Sequence, residues 1–138
     1  MYKCAVAGYG FIGSALANCL RDPIVYDKNK GIGKAEDLNK ADIVFICVPT
    51  GNLEIGFTLD IIREVLSGLD NKIVVIKSTI LPGSTEKLQR EYPNLKILFS
   101  PEFLTEETAD QDAKYPDRQI IGYTKNSFDI ALDVMSIL

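Results

Sequence analysis

The chain opens with an apolar run, Tyr2 to Ala7, which passes directly into Gly8-Tyr9-Gly10-Phe11-Ile12-Gly13 and then into a helix-period stretch from Phe11 to Arg21. A strand, a glycine-rich turn and a helix in that order leave few folds open. Gly8 permits the tight turn out of the strand, Gly10 holds no side chain against an approaching pyrophosphate, and Gly13 lets the helix pack closely on a sheet. The backbone N–H groups at the helix start, those of Phe11 and Ile12 included, then face the phosphates at the favourable end of the helix dipole. Pro23-Ile24-Val25-Tyr26 reads as a second strand ending in Asp27, about 20 residues beyond Gly8, where a carboxylate accepts hydrogen bonds from an adenosine ribose. Asp27 repels a 2′-phosphate and so favours NAD, while Lys28 and Lys30 close by leave NADP open. Two plainer readings compete. Glycines also pack helices on sheets without a ligand, but here strand, turn, helix, strand and acid fall in order. Lys3, the apolar run from Cys4 to Leu20 and Ala15-Leu16-Ala17 imitate a secretory leader, against which stand the glycine-rich middle and the in-phase Asp27.

At 138 residues the chain suits one domain, residues 1–138, and 46% apolar residues suffice for a core. A net charge of −4 with no basic cluster argues against nucleic acid or an anionic membrane as partner, and no apolar run is long enough to span a bilayer. Cys4, Cys19 and Cys47, odd in number and far apart, point to a reducing compartment, the cytoplasm, and each reads as a small core residue. Histidine is absent, so neither a zinc site nor a histidine-based triad has its usual parts.

The pattern predicts further strands at 42–48, 72–77, 95–99 and 118–123. Helices are expected from Thr58 to about Leu69, from Ser84 to Tyr92 and from Asn126 onward, with a helical turn or two between Ser100 and Asp117. Such alternation makes an α/β fold: a doubly wound, Rossmann-like parallel sheet of six strands with helices on both faces, expected in the order 3-2-1-4-5-6. The segment from Lys28 to Ala41 is short, so the helix there must be stunted. Ligands should bind at the carboxyl ends of the strands, where Gly8–Gly13, Asp27, Pro49-Thr50-Gly51, Ser78-Thr79 and Ser100-Pro101-Glu102 collect.

Several of these segments carry a family resemblance. Val48-Pro49-Thr50, Lys77-Ser78-Thr79-Ile80-Leu81-Pro82-Gly83-Ser84-Thr85, the stretch Ser100-Pro101-Glu102-Phe103-Leu104-Thr105-Glu106-Glu107-Thr108-Ala109, Pro116-Asp117-Arg118 and Ile121-Gly122 follow the glycine turn in order. Together they resemble the amino-terminal domain of the UDP-glucose/GDP-mannose dehydrogenase family over nearly the whole chain. The resemblance implies an oxidoreductase that uses two NAD molecules to oxidise the C6 alcohol of a nucleotide sugar to a carboxylate, through an aldehyde captured by a cysteine and a thioester that is then hydrolysed. By that match Gly8, Gly10, Gly13 and Asp27 form the NAD turn and ribose acid, and Pro49 and Thr50 lie beside the dinucleotide. Thr79 helps hold the catalytic water, Glu102 serves thioester hydrolysis, and Phe103, Leu104 and Glu106 line the sugar and nicotinamide. A carboxylate beside a sugar activates water where burial raises its pKa, and repulsion among Glu102, Glu106 and Glu107 is expected to raise one of them. A solvated acidic loop and a turn-forming Thr79 are the plainer alternatives.

The family's nucleophilic cysteine and its lysine lie in a second domain beyond a central helix. This sequence ends at Leu138 within a helical pattern, and none of its cysteines matches. The expectation is therefore the cofactor-binding part of a nucleotide-sugar dehydrogenase, not competent alone, with a substrate-domain chain or a second copy as partner. A non-catalytic NAD-binding or docking module, and a domain used only for assembly, are the other readings.

Overall fold

The apolar runs become the strands of a central sheet in the computed structural model, which describes residues 1–52, 54 and 56–138. In chain order these are β1 (Cys4–Ala7), β2 (Ile24–Tyr26), β3 (Ile43–Ile46), β6 (Ile73–Ile76), β7 (Lys96–Phe99) and β8 (Gly122–Tyr123), with a small hairpin of β4 (Gly51–Asn52) and β5 (Gly56–Phe57) after β3. The helices are α1 (Phe11–Cys19), α2 (Asp60–Ser67), α3 (Ser84–Glu91), α4 (Ala109–Lys114) and α5 (Ala131–Ile137).

Alternation along the strands divides the core. Ala5, Ala7, Val44, Ile46, Val74, Ile76 and Ile97 face Leu38, Ile62 and Leu66 of the α2 side and Leu88 of α3. Cys4, Val6, Ile43, Phe45, Val75 and Leu98 face Leu16 and Ala17 of α1 and Ala131 and Val134 of α5. Every residue of β3 is fully buried, as a central strand covered on both faces requires. Helix α2 buries the expected face, Ile62 and Leu66, while Thr58 Oγ1 accepts the Asp60 N–H (3.2 Å) at its start.

The Rossmann-like architecture is as expected, but the strand order is not. The sheet runs β2-β1-β3-β6-β7-β8, so the strand predicted at 42–48 lies against β1 rather than outside β2. The cause is the shortened segment before it. Between β2 and β3 the chain makes only a bridge of Asp27 with Ile32 and a 3-10 turn, Ala35–Lys40, whose Leu38 plugs the core. No strand is inserted there among the described residues, and β3 takes the place beside β1. The last strand is shorter than the predicted 118–123 and runs antiparallel to β7. Helix α4 is about 9 Å long and lies on α1, with Asn18 Nδ2 donating to Asp110 Oδ1 (3.3 Å), so it does not carry the chain back across the sheet. The final helix begins later than Asn126, after a 3-10 turn at Phe128–Ile130. Cys4 is buried and Cys47 partly so, but Cys19 is exposed at the end of α1 and is no core residue. No helix among the described residues is long and apolar enough to cross a membrane.

Candidate cofactor site at the carboxyl edge

Strand β1 hands the chain to β2 on one side, and β3 hands it to β6 on the other. The fork between β1 and β3 is the switch point at which doubly wound sheets open a crevice. The glycine turn sits in that fork. Gly8 has φ +96°, donates its N–H to Tyr26 O (2.8 Å), and a Cβ there would lie 2.4 Å from Cys47 O. A Cβ on Gly13 would lie 1.9 Å from Gly8 O, so only glycine lets α1 seat on the turn. A Cβ on Gly10, by contrast, would meet nothing within 4 Å. Gly8 and Gly13 are demanded by the fold, and Gly10 faces open space where a ligand's phosphates would need bare backbone. Helix α1 begins there with no side-chain cap and no acidic residue in its first turn, leaving the N–H groups of Phe11, Ile12 and Gly13 for an anion.

Asp27 is tied to this turn. Its Oδ2 accepts the Tyr9 N–H (2.7 Å) and its Oδ1 accepts the Lys30 N–H (2.9 Å). The Tyr9 N–H is the main cause that holds this carboxyl below the usual carboxylate range; burial opposes it, and the Lys30 and Asn29 N–H groups add to it. Because the folded-state pKa is depressed, Asp27 stabilises the fold above its unfolded value, about 3.9, and the contribution is lost as pH falls through the folded value. A carboxylate has roughly four acceptor positions, so positions beyond these two bonds remain for ribose hydroxyls. Asp27→Ala is expected to weaken NAD binding by on the order of 1–3 kcal/mol in a calorimetric titration. An unchanged affinity would show that Asp27 only props the turn.

Beside Asp27 lies a crevice of about 230 Å³, walled by Ala7, Val48, Pro49, Ile61 and Val65, with Asp27, Lys28 and Glu64 among its polar lining residues. Apolar walls with a carboxylate among the lining groups suit a flat heteroaromatic base and its ribose. The loops beyond are laced together: Thr50 Oγ1 donates to Thr79 O (2.5 Å), and Ser78 Oγ donates to Val48 O (2.7 Å). Thr50 is buried, whereas Thr79 is exposed and lines a second hollow, of about 500 Å³, with Thr50, Phe57 and Gly83.

Glu102 meets a group that the sequence reading did not single out. Its Oε2 lies 2.9 Å from Lys77 Nζ, at the end of β6, and its Oε1 accepts the Phe103 N–H (3.0 Å). The Lys77 side chain is 2% exposed and also donates to Ser100 Oγ (3.3 Å). The signal was present in Ile73-Val74-Val75-Ile76-Lys77, where a charge continues an apolar strand and must be paired when buried. Cys47 stands in the field of this pair. Burial pushes its thiol up to about 12, Lys77 only partly countering, so it is protonated at neutral pH.

Glu106 and Glu107 have other surroundings. They are exposed in a 3-10 turn and line a hollow with Phe11 and Ser14 at the start of α1, a hollow of which Glu102 is not part. The crowding expected among the three carboxylates is replaced by one ion pair and two solvated side chains. Phe103 is half exposed, with the Arg118 guanidinium 4.7 Å from its ring centroid, and Leu104 is partly buried.

Comparison with known proteins gives this geometry its family. Residues 30–135 match the UDP-glucose/GDP-mannose dehydrogenase family, NAD binding domain. The chain belongs to this family. The family match starts after the glycine turn, so that turn is assigned by its sequence and geometry. A UDP-glucose 6-dehydrogenase of Rickettsia conorii is 32% identical over 106 residues, covering 70% of this chain and 24% of that protein. One from Campylobacter jejuni is 35% identical over 88 residues, covering 59% and 22%. The chain thus spans about a quarter of the length of these curated relatives. Among solved structures, a UDP-glucose dehydrogenase from Pyrobaculum islandicum superposes with a TM-score of 0.81 over 99% of this chain and 44% of the other, at 23% identity, which establishes the shared fold. The chain is accordingly an NAD-binding domain of a sugar-dehydrogenase family, and the turn, Asp27 and the crevice fit that cofactor.

Proposed function

We propose that this chain supplies the cofactor half of a nucleotide-sugar 6-dehydrogenase, residues 1–138 forming one dinucleotide-binding unit. The observation that carries the reading is the convergence of the uncapped α1 start, Asp27 and the apolar crevice on one fork of the sheet. The N–H groups of Gly10, Phe11, Ile12 and Gly13 hold the pyrophosphate, Asp27 the adenosine ribose, and the crevice the adenine. A bound NAD would supply the acceptor for the hydride that leaves the carbon bearing the alcohol. Pro49 and Thr50 flank the dinucleotide, and the Thr79 hydroxyl orients a water. Glu102 takes a proton from that water, with Lys77 holding its carboxylate in place. Phe103, Leu104 and Glu106 line the sugar.

The chain alone does not complete the oxidation. Cys4 and Cys47 have thiols raised by burial, and Cys19, raised by the same cause, lies at the far end of α1 from the glycine turn. This favours, for the isolated chain, the role of an NAD-binding module that works with a thiol-bearing partner in the cytoplasm. Steady-state NADH release from the purified chain with NAD and UDP-glucose or GDP-mannose should be undetectable, although NAD binds. Sustained turnover to the carboxylate would overturn this division of labour. The partner, a substrate-domain chain or a second copy, would cover Phe128, Leu132 and Met135, which are exposed along the last turn and helix while Ile130 and Val134 are buried. Concentration-dependent elution on size exclusion is expected. A monomer at every concentration would remove the second copy as the partner.

A further inference from the structure

Two lysines follow the ribose acid, and a cation beside that acid is what receives a 2′-phosphate in NADP-binding folds of this kind. Neither is free for that task. Lys30 Nζ donates to Tyr9 O at 2.6 Å and sits 5.9 Å from the Tyr9 ring centroid, bound back to the glycine turn. Lys28 Nζ lies 2.5 Å from Glu64 Oε1, a carboxylate brought by α2. Lys28, Glu64 and Asp27 all line the same crevice. A dianionic 2′-phosphate arriving beside Asp27 would therefore meet two carboxylates, with both nearby ammonium groups already occupied. NAD presents only a hydroxyl there.

We propose that Glu64 is a specificity-determining residue that selects NAD over NADP by occupying Lys28 across the crevice. The inference rests on the reading of the crevice as the adenosine site. Discrimination of this kind works by placing repulsion where the wrong ligand carries its extra charge. Glu64 is suited to it because its side chain is 56% exposed and its ion pair is an exposed one, so it is open to change without loss of the fold.

The test is calorimetric titration of the full chain, Glu64→Gln and the double variant Glu64→Gln/Lys28→Met with NAD and with NADP. In Glu64→Gln the ratio of the NADP to the NAD dissociation constant should fall by about twofold to fivefold. The fall should be smaller at high salt, because the pair is exposed and screened. Replacing Lys28 as well should return the ratio toward that of the native chain. A native chain that binds NAD, with a ratio moved by less than about twofold in Glu64→Gln, would overturn the role of Glu64 and leave the cofactor site standing. A native chain that binds neither nucleotide would overturn both.

Discussion

Gly13→Ala should destabilise the fold by on the order of 3 kcal/mol and abolish NAD binding. The added methyl would sit 1.9 Å from Gly8 O, a backbone atom that cannot swing aside. Relief requires α1 to lift from the turn, which also withdraws Leu16 and Ala17 from the core under β1. Against a total stability of about 5–15 kcal/mol, that loss is large, and it should appear as a lower urea midpoint with an unchanged slope. Gly10→Ala is the partner experiment. Its methyl meets nothing within 4 Å and its φ of −79° suits alanine, so the fold should lose no more than about 1 kcal/mol at this helix cap. NAD affinity should nevertheless fall, because the methyl stands where the pyrophosphate must come. If both variants kept their affinity, the turn would be a packing device only.

Glu102→Ala should cost about 3–5 kcal/mol, the range seen when one member of a buried ion pair is removed. It leaves the Lys77 ammonium, 2% exposed, with Ser100 Oγ at 3.3 Å as its one side-chain partner among the described residues. Lys77→Met should cost less, since Glu102 keeps 17% exposure and the Phe103 N–H. Lys77→Met/Glu102→Ala should cost clearly less than the two single changes added together, and this non-additivity in urea melts is the signature of a coupled pair. Three variants with additive costs would refute the coupling. The pair also bears on the role proposed for Glu102, because a loss of activity caused by a Glu102 variant in the chain combined with its partner reports catalysis only where the fold is intact.

What the sequence made legible was local. The glycine turn, Asp27 and the continuous apolar strands are read from residue type and period, and Gly8, Gly13 and Ile43–Ile46 stand where those rules put them. The strand order was not legible. It depends on whether the segment 28–41 holds a strand, and once it folds as a bridge and a 3-10 turn, β3 takes the position beside β1. The direction of β8 likewise turns on α4 lying against α1. At the site, the partners of Glu102 and Lys28 come from segments distant in sequence, β6 and α2, and nothing in the spacing of the acidic residues announced them.

Whether this fork of the sheet is a working NAD site is decided by titrating the purified, folded chain with NAD. Saturable binding at one site is expected, weakened in Gly10→Ala and Asp27→Ala and stronger than for NADP. A chain whose circular dichroism shows the native fold, yet which releases no heat with NAD and gains no thermal stability from it, would mean that the fork holds no dinucleotide.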